Sequence, residues 1–451
     1  MTSTKPLASL ALPRGFRLTT GKSSTFRALS NRNYRLYATG GVVSNVGTWM
    51  QRIAQDWLVL QLTGINGTAL GITTGLQFLP ILLVSPYAGL IADRFPKRRL
   101  LQVTQLSMAL PALALGLLAI SGHAQLWQVY LIALVFGTAR AFDVPARQAF
   151  VPEMVGSDDL PNAVGLNSAS FNMARIIGPA LAGGLIALLG SGVTATGWVI
   201  LINAISYSAV IYALQRMRQE DLESPERVAR ARGMVREGIS YVRGRLDLML
   251  ILSVIFCAGT FGFNFQMTSA LMATSVYHKG AGEYGLLGTT MAVGSLAGAL
   301  LAARRRGRPR HRVVIVAAVA FGLAEVVAGM MPSYLAFALF VPLIGITALT
   351  LSTAANSTVQ LSVSPMMRGR VMALYMTIFM GGTPLGAPII GWVGQTFGAR
   401  WTLIGGGALT VLGTLLAVLV FSRAKGMIGP GAAPLRIRRR PEEQLSSGHA
   451  A

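Results

Sequence analysis

The sequence predicts an all-α membrane protein: twelve transmembrane helices in two six-helix bundles related by pseudo-two-fold symmetry. Three observations predict it. Of 451 residues, 53% are hydrophobic and only 12% charged, and mean hydropathy is +0.55. That is about half the charge of a soluble domain. Second, apolar stretches long enough for a span of ~20 residues recur twelve times, at 36–62, 68–92, 100–120, 126–148, 162–190, 197–215, 248–277, 284–303, 313–331, 334–358, 371–396 and 401–422. Third, small and apolar residues repeat between the halves. Gly137 and Gly345, Ala146 and Ala354, Leu166 and Leu374, Gly178 and Gly386, and Gly183 and Gly391 are each 208 apart, and Gly89 and Gly298 are 209 apart.

The segments follow in order. Residues 1–33 carry Lys5, Arg14, Arg17, Lys22, Arg27 and Arg32 and no acid. The apolar run at 7–12 is too short for a signal-peptide core. The stretch reads as a basic cytoplasmic tail, although a transit peptide shares the composition. Residues 34–216 form the first bundle, 217–247 a cytoplasmic linker of mixed charge, 248–422 the second bundle, and 423–451 a basic cytoplasmic tail. With an even number of spans both termini share one side. That side holds 33 of the 39 basic residues, and the other holds two, Lys279 and Arg400. By the positive-inside rule the basic side is cytoplasmic, so the net charge of +23 records topology and not nucleic-acid binding. The expected location is a bacterial cell membrane.

A charge inside a span costs about 2.5–3.5 kcal/mol on insertion scales, so each is a candidate for function. In span 1, at 100° per residue, Ser44, Asn45, Thr48, Gln51, Arg52, Gln55 and Asp56 share one arc of about 140°. The stripe reads as a cavity wall with Asp56 as the proton acceptor, or as a structural ion pair, since Arg52 and Asp56 are i,i+4 neighbours. In span 5, Asn167, Ser168, Asn172 and Arg175 share an arc, with Arg175 about 20 Å from the basic end. An arginine does not give up its proton, so Arg175 is expected to bind an anionic group, to hold a carboxylate ionised or to anchor on backbone carbonyls. Glu325 in span 9 has no basic neighbour one turn away and is the second candidate carboxylate. Asn264 in span 7 completes the transport and coupling set.

A conformational gate is expected at the basic end. Gly89, Asp93, Arg94, Lys97 and Arg98 join spans 2 and 3, while Arg140, Asp143 and Arg147 share one face of span 4. Gly165, Gly178, Pro179 and Gly183 in span 5 permit close helix packing, and Pro179 bends the helix.

These motifs resemble a known family. Residues 89–98 are similar to the loop 2–3 signature of the major facilitator superfamily, with Pro96 in place of its usual glycine. Gly165, Gly178, Pro179 and Gly183 match its span 5 antiporter signature, with Ala174 and Ala182 in place of glycines. The superfamily's usual span 4 arginine is absent before Gly137. RNYRLYATG (32–40), GTWMQ (47–51), AFDVPARQAFVPE (141–153) and NAVGLNSASFNMARIIGPALAG (162–183) resemble the enterobactin-exporter-like group of drug–proton antiporters. The resemblance implies alternating access, driven by protons, and export of a small amphipathic molecule: a drug, a secondary metabolite or a siderophore.

Two other readings stay open, a proton-coupled importer or facilitator and a non-transporting membrane sensor or scaffold. No nucleotide-binding loop, nucleophile–base pair or metal-ligand spacing is present, and one cysteine, Cys257, excludes a disulfide framework. No enzyme activity, cofactor, metal or ATP is expected. The expected partners are the small-molecule substrate, protons and lipid, with the chain working as a monomer.

Overall fold

The computed structural model describes residues 25–222, 234–304 and 311–427. The basic residues of the N-terminal tail up to Lys22, the centre of the linker, most of the 304–312 loop and the C-terminal tail beyond Met427 lie outside the described residues, as does the Asp93 side chain. Every regular element described is helical. Ten helices are long and apolar enough to cross a bilayer. Two facts bring the spans to twelve. Arg32–Thr63, span 1, carries the polar stripe that lowers its hydropathy. Leu126–Leu188 is two spans joined at Gly156, whose φ of 66° and ψ of 177° belong to a region only glycine enters readily.

Span 2 is Gly67–Arg94, span 3 Lys97–Ile120, span 4 runs to 155, span 5 is 157–188, and span 6 is Val193–Arg216. A short amphipathic helix, Met234–Arg243, precedes span 7 and is tied to span 11 by a 2.6 Å ion pair between Glu237 and Arg370. Span 7 is interrupted. Leu246–Cys257 passes into a wide π turn at Ala258–Gly262, breaks at Phe263 and Asn264, resumes over Phe265–Leu271 and ends in a second wide turn, Met272–Val276. Spans 8 to 12 are Ala281–Arg304, His311–Gly329, Tyr334–Ser362, Pro365–Phe397 and Ala399–Met427. Leu188, Leu335 and Leu339, among many apolar side chains on the spans, are exposed, as lipid-facing positions require.

The repeat is a repeat of packing. A Cβ on Gly137 would lie 2.2 Å from the Gln77 carbonyl, and one on Gly345 would lie 2.4 Å from the Met291 carbonyl. A Cβ on Gly183 meets Ala281 O at 2.4 Å and Gly285 Cα at 3.0 Å, while one on Gly391 meets Gly67 O at 2.4 Å and Gly71 Cα at 3.0 Å. Gly178 likewise closes on Val46 O, and Gly386 on Thr260 O. Spans 4 and 5 thus map onto 10 and 11 at 208, as the sequence indicates. Spans 1 and 2 map onto 7 and 8 at 214, and this corrects the pairing of Gly89 with Gly298 at 209. The six-residue difference arises between spans 2 and 4, where span 3 has 24 residues and the described part of its counterpart, span 9, has 19.

The first six and last six spans meet along two seams. Span 2 packs on span 11, where Gly67 N–H also donates to Gln395 Oε1 at 2.8 Å. Span 5 packs on span 8, where Thr289 Oγ1 donates to the Ile176 carbonyl at 2.8 Å. Both contacts sit toward the end away from the basic loops. Nearer the basic end, span 5 leaves its partner: Gly165 has nothing within 4 Å of its Cβ direction, and Asn167 and Ser168 are exposed.

Candidate functional site

The polar stripe of span 1 divides three ways. Ser44 and Gln51 are buried at 1% and 2% exposure. The Gln51 carbonyl oxygen accepts a very short hydrogen bond from Asn203 Nδ2 of span 6, and Thr48 Oγ1 is 3.5 Å from the Tyr207 hydroxyl. This part locks span 1 to span 6 within the first half. Gln55 is also buried, with its Oε1 unpartnered.

Arg52 turns into a cavity of about 180 Å³ between the halves. Trp49, Arg52 and Ile53 of span 1 and Arg175 and Pro179 of span 5 form one wall. Phe263, Gln266, Tyr284 and Phe321 belong to the other. Pro179, beside the cavity, removes the donor that the Arg175 carbonyl would otherwise use. The Arg52 guanidinium stacks on Trp49 at 4.6 Å and lies 5.8 Å from the Phe78 ring.

Asp56, 6% exposed, crosses to the second half. Its Oδ2 accepts hydrogen bonds from Gln266 Nε2 at 2.6 Å and the Tyr284 hydroxyl at 2.8 Å. The Tyr284 ring stacks on Trp57, with centroids 6.4 Å apart. Among the described residues, neither Arg52 nor Arg175 lies within 4 Å of a carboxylate. The Arg52–Asp56 ion pair, one of the two readings of the stripe, is therefore absent in this state, where the carboxylate is taken up by donors from spans 7 and 8. Gln266 and Tyr284 escaped the sequence reading. At the offset of 214, Gln266 is the register equivalent of Arg52, so the correct repeat alignment would have found it.

Glu325, 2% exposed, is not on the cavity. Its Oε2 is unpartnered and faces Gly262 in the wide turn of span 7, while its Cβ packs toward Gly407 of span 12. The Asn264 side chain donates to the Thr260 carbonyl at 2.9 Å and leaves its own Oδ1 unpartnered.

The gate residues bond within the first half. Asp143 is paired with Arg147 and accepts from Thr104 Oγ1 and Gln105 Nε2 of span 3, each at 2.8 Å. Lys97 pairs with Glu153 at 2.8 Å, and Arg98 donates to the Leu214 and Gln215 carbonyls at the end of span 6. Arg140 leaves Nη1 buried without a partner, and Arg94 is exposed. Asp143→Ala strips three donors of a shared acceptor. Breaking a buried pair costs about 3–5 kcal/mol, so the purified variant is expected to melt well below wild type. An unchanged melting curve would show that the cluster carries no stability.

Two six-helix halves, packed along two seams toward the end away from the basic loops and enclosing a cavity lined by Arg52 and Arg175, have the architecture of a two-bundle membrane transporter of the major facilitator superfamily. Within it the chain belongs to the family described as transmembrane secretion effector, whose model matches residues 23–427. It is 25% identical to the staphyloferrin A transporter of Staphylococcus aureus over 84% of this chain and 94% of that one. It is 26% identical to the multidrug efflux pump Tap of Mycolicibacterium fortuitum over 84% and 92%. Its fold matches a bacterial homologue of the iron transporter ferroportin in an inward-facing state, with a TM-score of 0.67 at 14% identity over 87% of this chain and 98% of that one.

Proposed function

We propose that this protein is a proton-coupled exporter of small amphipathic molecules across the bacterial cell membrane, working by alternating access with both termini in the cytoplasm. Residues 34–216 and 248–422 are the two rocking units, joined by the cytoplasmic linker 217–247. The relatives named for efflux and for siderophore transport support the substrate range, and the positive-inside count supports the orientation. Basic residues at the parted end make this the state open to the cytoplasm.

The observation that carries the coupling is the bridge from Asp56 to Gln266 and Tyr284. It forms only when the halves close at the outer end. Opening that end takes both donors away and presents the carboxyl to outside water, from which it takes a proton. Closing returns the donors to the carboxylate, and the proton leaves toward the cytoplasm. One proton thus moves inward as the cavity carries its cargo outward. Glu325 is the second candidate carboxylate, but among the described residues no donor from the first half reaches it.

Everted membrane vesicles energised by a pH gradient test this reading. Uptake of a fluorescent drug panel is expected to stop when nigericin collapses the gradient. Uptake that persists would sink the antiport, and proton flux in the same direction as the drug would make the chain a symporter.

A further inference from the structure

Four ionisable groups of the first half lie inside spans 1, 4 and 5, and two of them, Arg52 and Arg175, line the cavity. Arg52, Arg140 and Arg175 are positive, and Arg140 and Arg175 each lie within electrostatic reach of Arg52. Asp56, the one carboxylate in that set, is spent on Gln266 and Tyr284. Arg52 Nε and Arg140 Nη1 are buried without a hydrogen-bond partner, and no carboxylate among the described residues lies within 4 Å of any of the three guanidiniums. Like charges brought together in a poorly solvated site are costly unless an anion joins them. Arg52 and Arg175 both line the cavity, next to Trp49, Phe263, Phe265 and Phe321.

We propose that this cavity binds an organic anion, a flat aromatic or apolar body carrying a carboxylate, with the carboxylate held between Arg52 and Arg175. Planar guanidiniums match a carboxylate through paired N–H donors, and the aromatic wall takes the apolar body. At about 180 Å³ the space is smaller than the ~300–1,000 Å³ of a site for a drug-sized ligand. In this state it therefore receives the charged end of a larger molecule, or the whole of a two-ring acid. The anion also supplies the negative charge that Asp56 does not give to the arginines while the outer end is closed. The inference rests on the efflux reading for its transport meaning and on the cavity alone for its chemistry.

The test separates the two. Binding of 2-naphthoate, 2-naphthamide and 2-naphthylmethylammonium to purified wild type is compared by calorimetry. The three share a ring system and differ in charge. The acid is expected to bind at least about tenfold more tightly than the ammonium, as one charge-assisted contact supplies. Arg52→Gln and Arg175→Gln are each expected to weaken the acid about tenfold and to leave the amide unchanged, while Arg175→Lys, which keeps the charge but loses the fork, falls between. Melting curves confirm that each variant is folded. Equal or tighter binding of the ammonium overturns the proposal. So does an equal loss for all three ligands in the glutamine variants, which would make the arginines structural. Naphthoate that binds but is not moved by a pH gradient in proteoliposomes would sink the efflux reading and leave the cavity assignment standing.

Discussion

Asp56→Asn is expected to abolish transport driven by a pH gradient, down to the level of empty vesicles, while exchange of substrate across vesicles at equal pH continues. The reason lies in what asparagine keeps. Its amide oxygen still accepts from the Tyr284 hydroxyl and from Gln266, which stand 2.8 and 2.6 Å from the native carboxylate. The outer end therefore still closes and the cavity still binds. What is lost is the proton, because an amide does not titrate. A variant that merely broke the fold would lose exchange and drive together, so the split between them is the diagnostic. Tyr284→Phe removes one of the two donors and is expected to retain coupling with slower turnover. Full gradient-driven transport by Asp56→Asn would reject this carboxylate and move the coupling role to Glu325.

Gly386→Ala and Gly391→Ala are expected to differ sharply although they lie five residues apart on one helix. A Cβ at Gly386 would stand 1.6 Å from the Thr260 carbonyl oxygen. That contact is inside the second half and is present in every state of the cycle. Overpacking costs about 1–3 kcal/mol even where side chains can shift, and here the obstacle is backbone, so loss of folded protein is expected. A Cβ at Gly391 would stand 2.4 Å from the Gly67 carbonyl and 3.0 Å from Gly71 Cα, across the seam between the halves. That clash exists only while the outer end is closed. Gly391→Ala is therefore expected to fold and to favour the outward-open state by about tenfold or more, since each 1.4 kcal/mol is a factor of ten. Labelling of a cysteine placed at the outer mouth reads the shift. If Gly391→Ala is as damaging to folding as Gly386→Ala, the seam is permanent and the halves do not rock there.

The gate expected at the basic end is not engaged between the halves in this state, as far as its described residues go. Asp143, Arg147, Lys97 and Arg98 look from their spacing like a lock between moving parts. Their bonds end on spans 3, 4 and 6, with Tyr37 of span 1 beside Arg147, all within the first half. Among the described residues no such lock joins the halves at the basic end, and the hydrogen bonds that do cross, at Gly67, Thr289 and Asp56, lie toward the opposite end.

The sequence by itself determined the number of spans, their order, the two-fold repeat and the side that bears the basic loops. These follow from properties that add up along the chain: each segment partitions into lipid on its own hydropathy, and each loop carries its own charge. It also placed Asp56, Arg52 and Arg175 on the apolar spans, because a charge in an apolar run is visible without any fold. Only the tertiary structure decided which of them meet. Whether Asp56 faces Arg52, Arg175 or the far half depends on how spans 1, 7 and 8 are rotated about their axes, and Gln266 and Tyr284 lie 210 and 228 residues away. The 214 offset of spans 1 and 2 was hidden for a related reason: the stretch between spans 2 and 4 and its counterpart differ in length, and matching isolated glycines cannot register that. The break in span 7 was hidden too, since AGTFGFNF reads as continuous apolar helix until the close approach of Gly382 and Gly386 to Thr260 brings a second backbone against its widened turn.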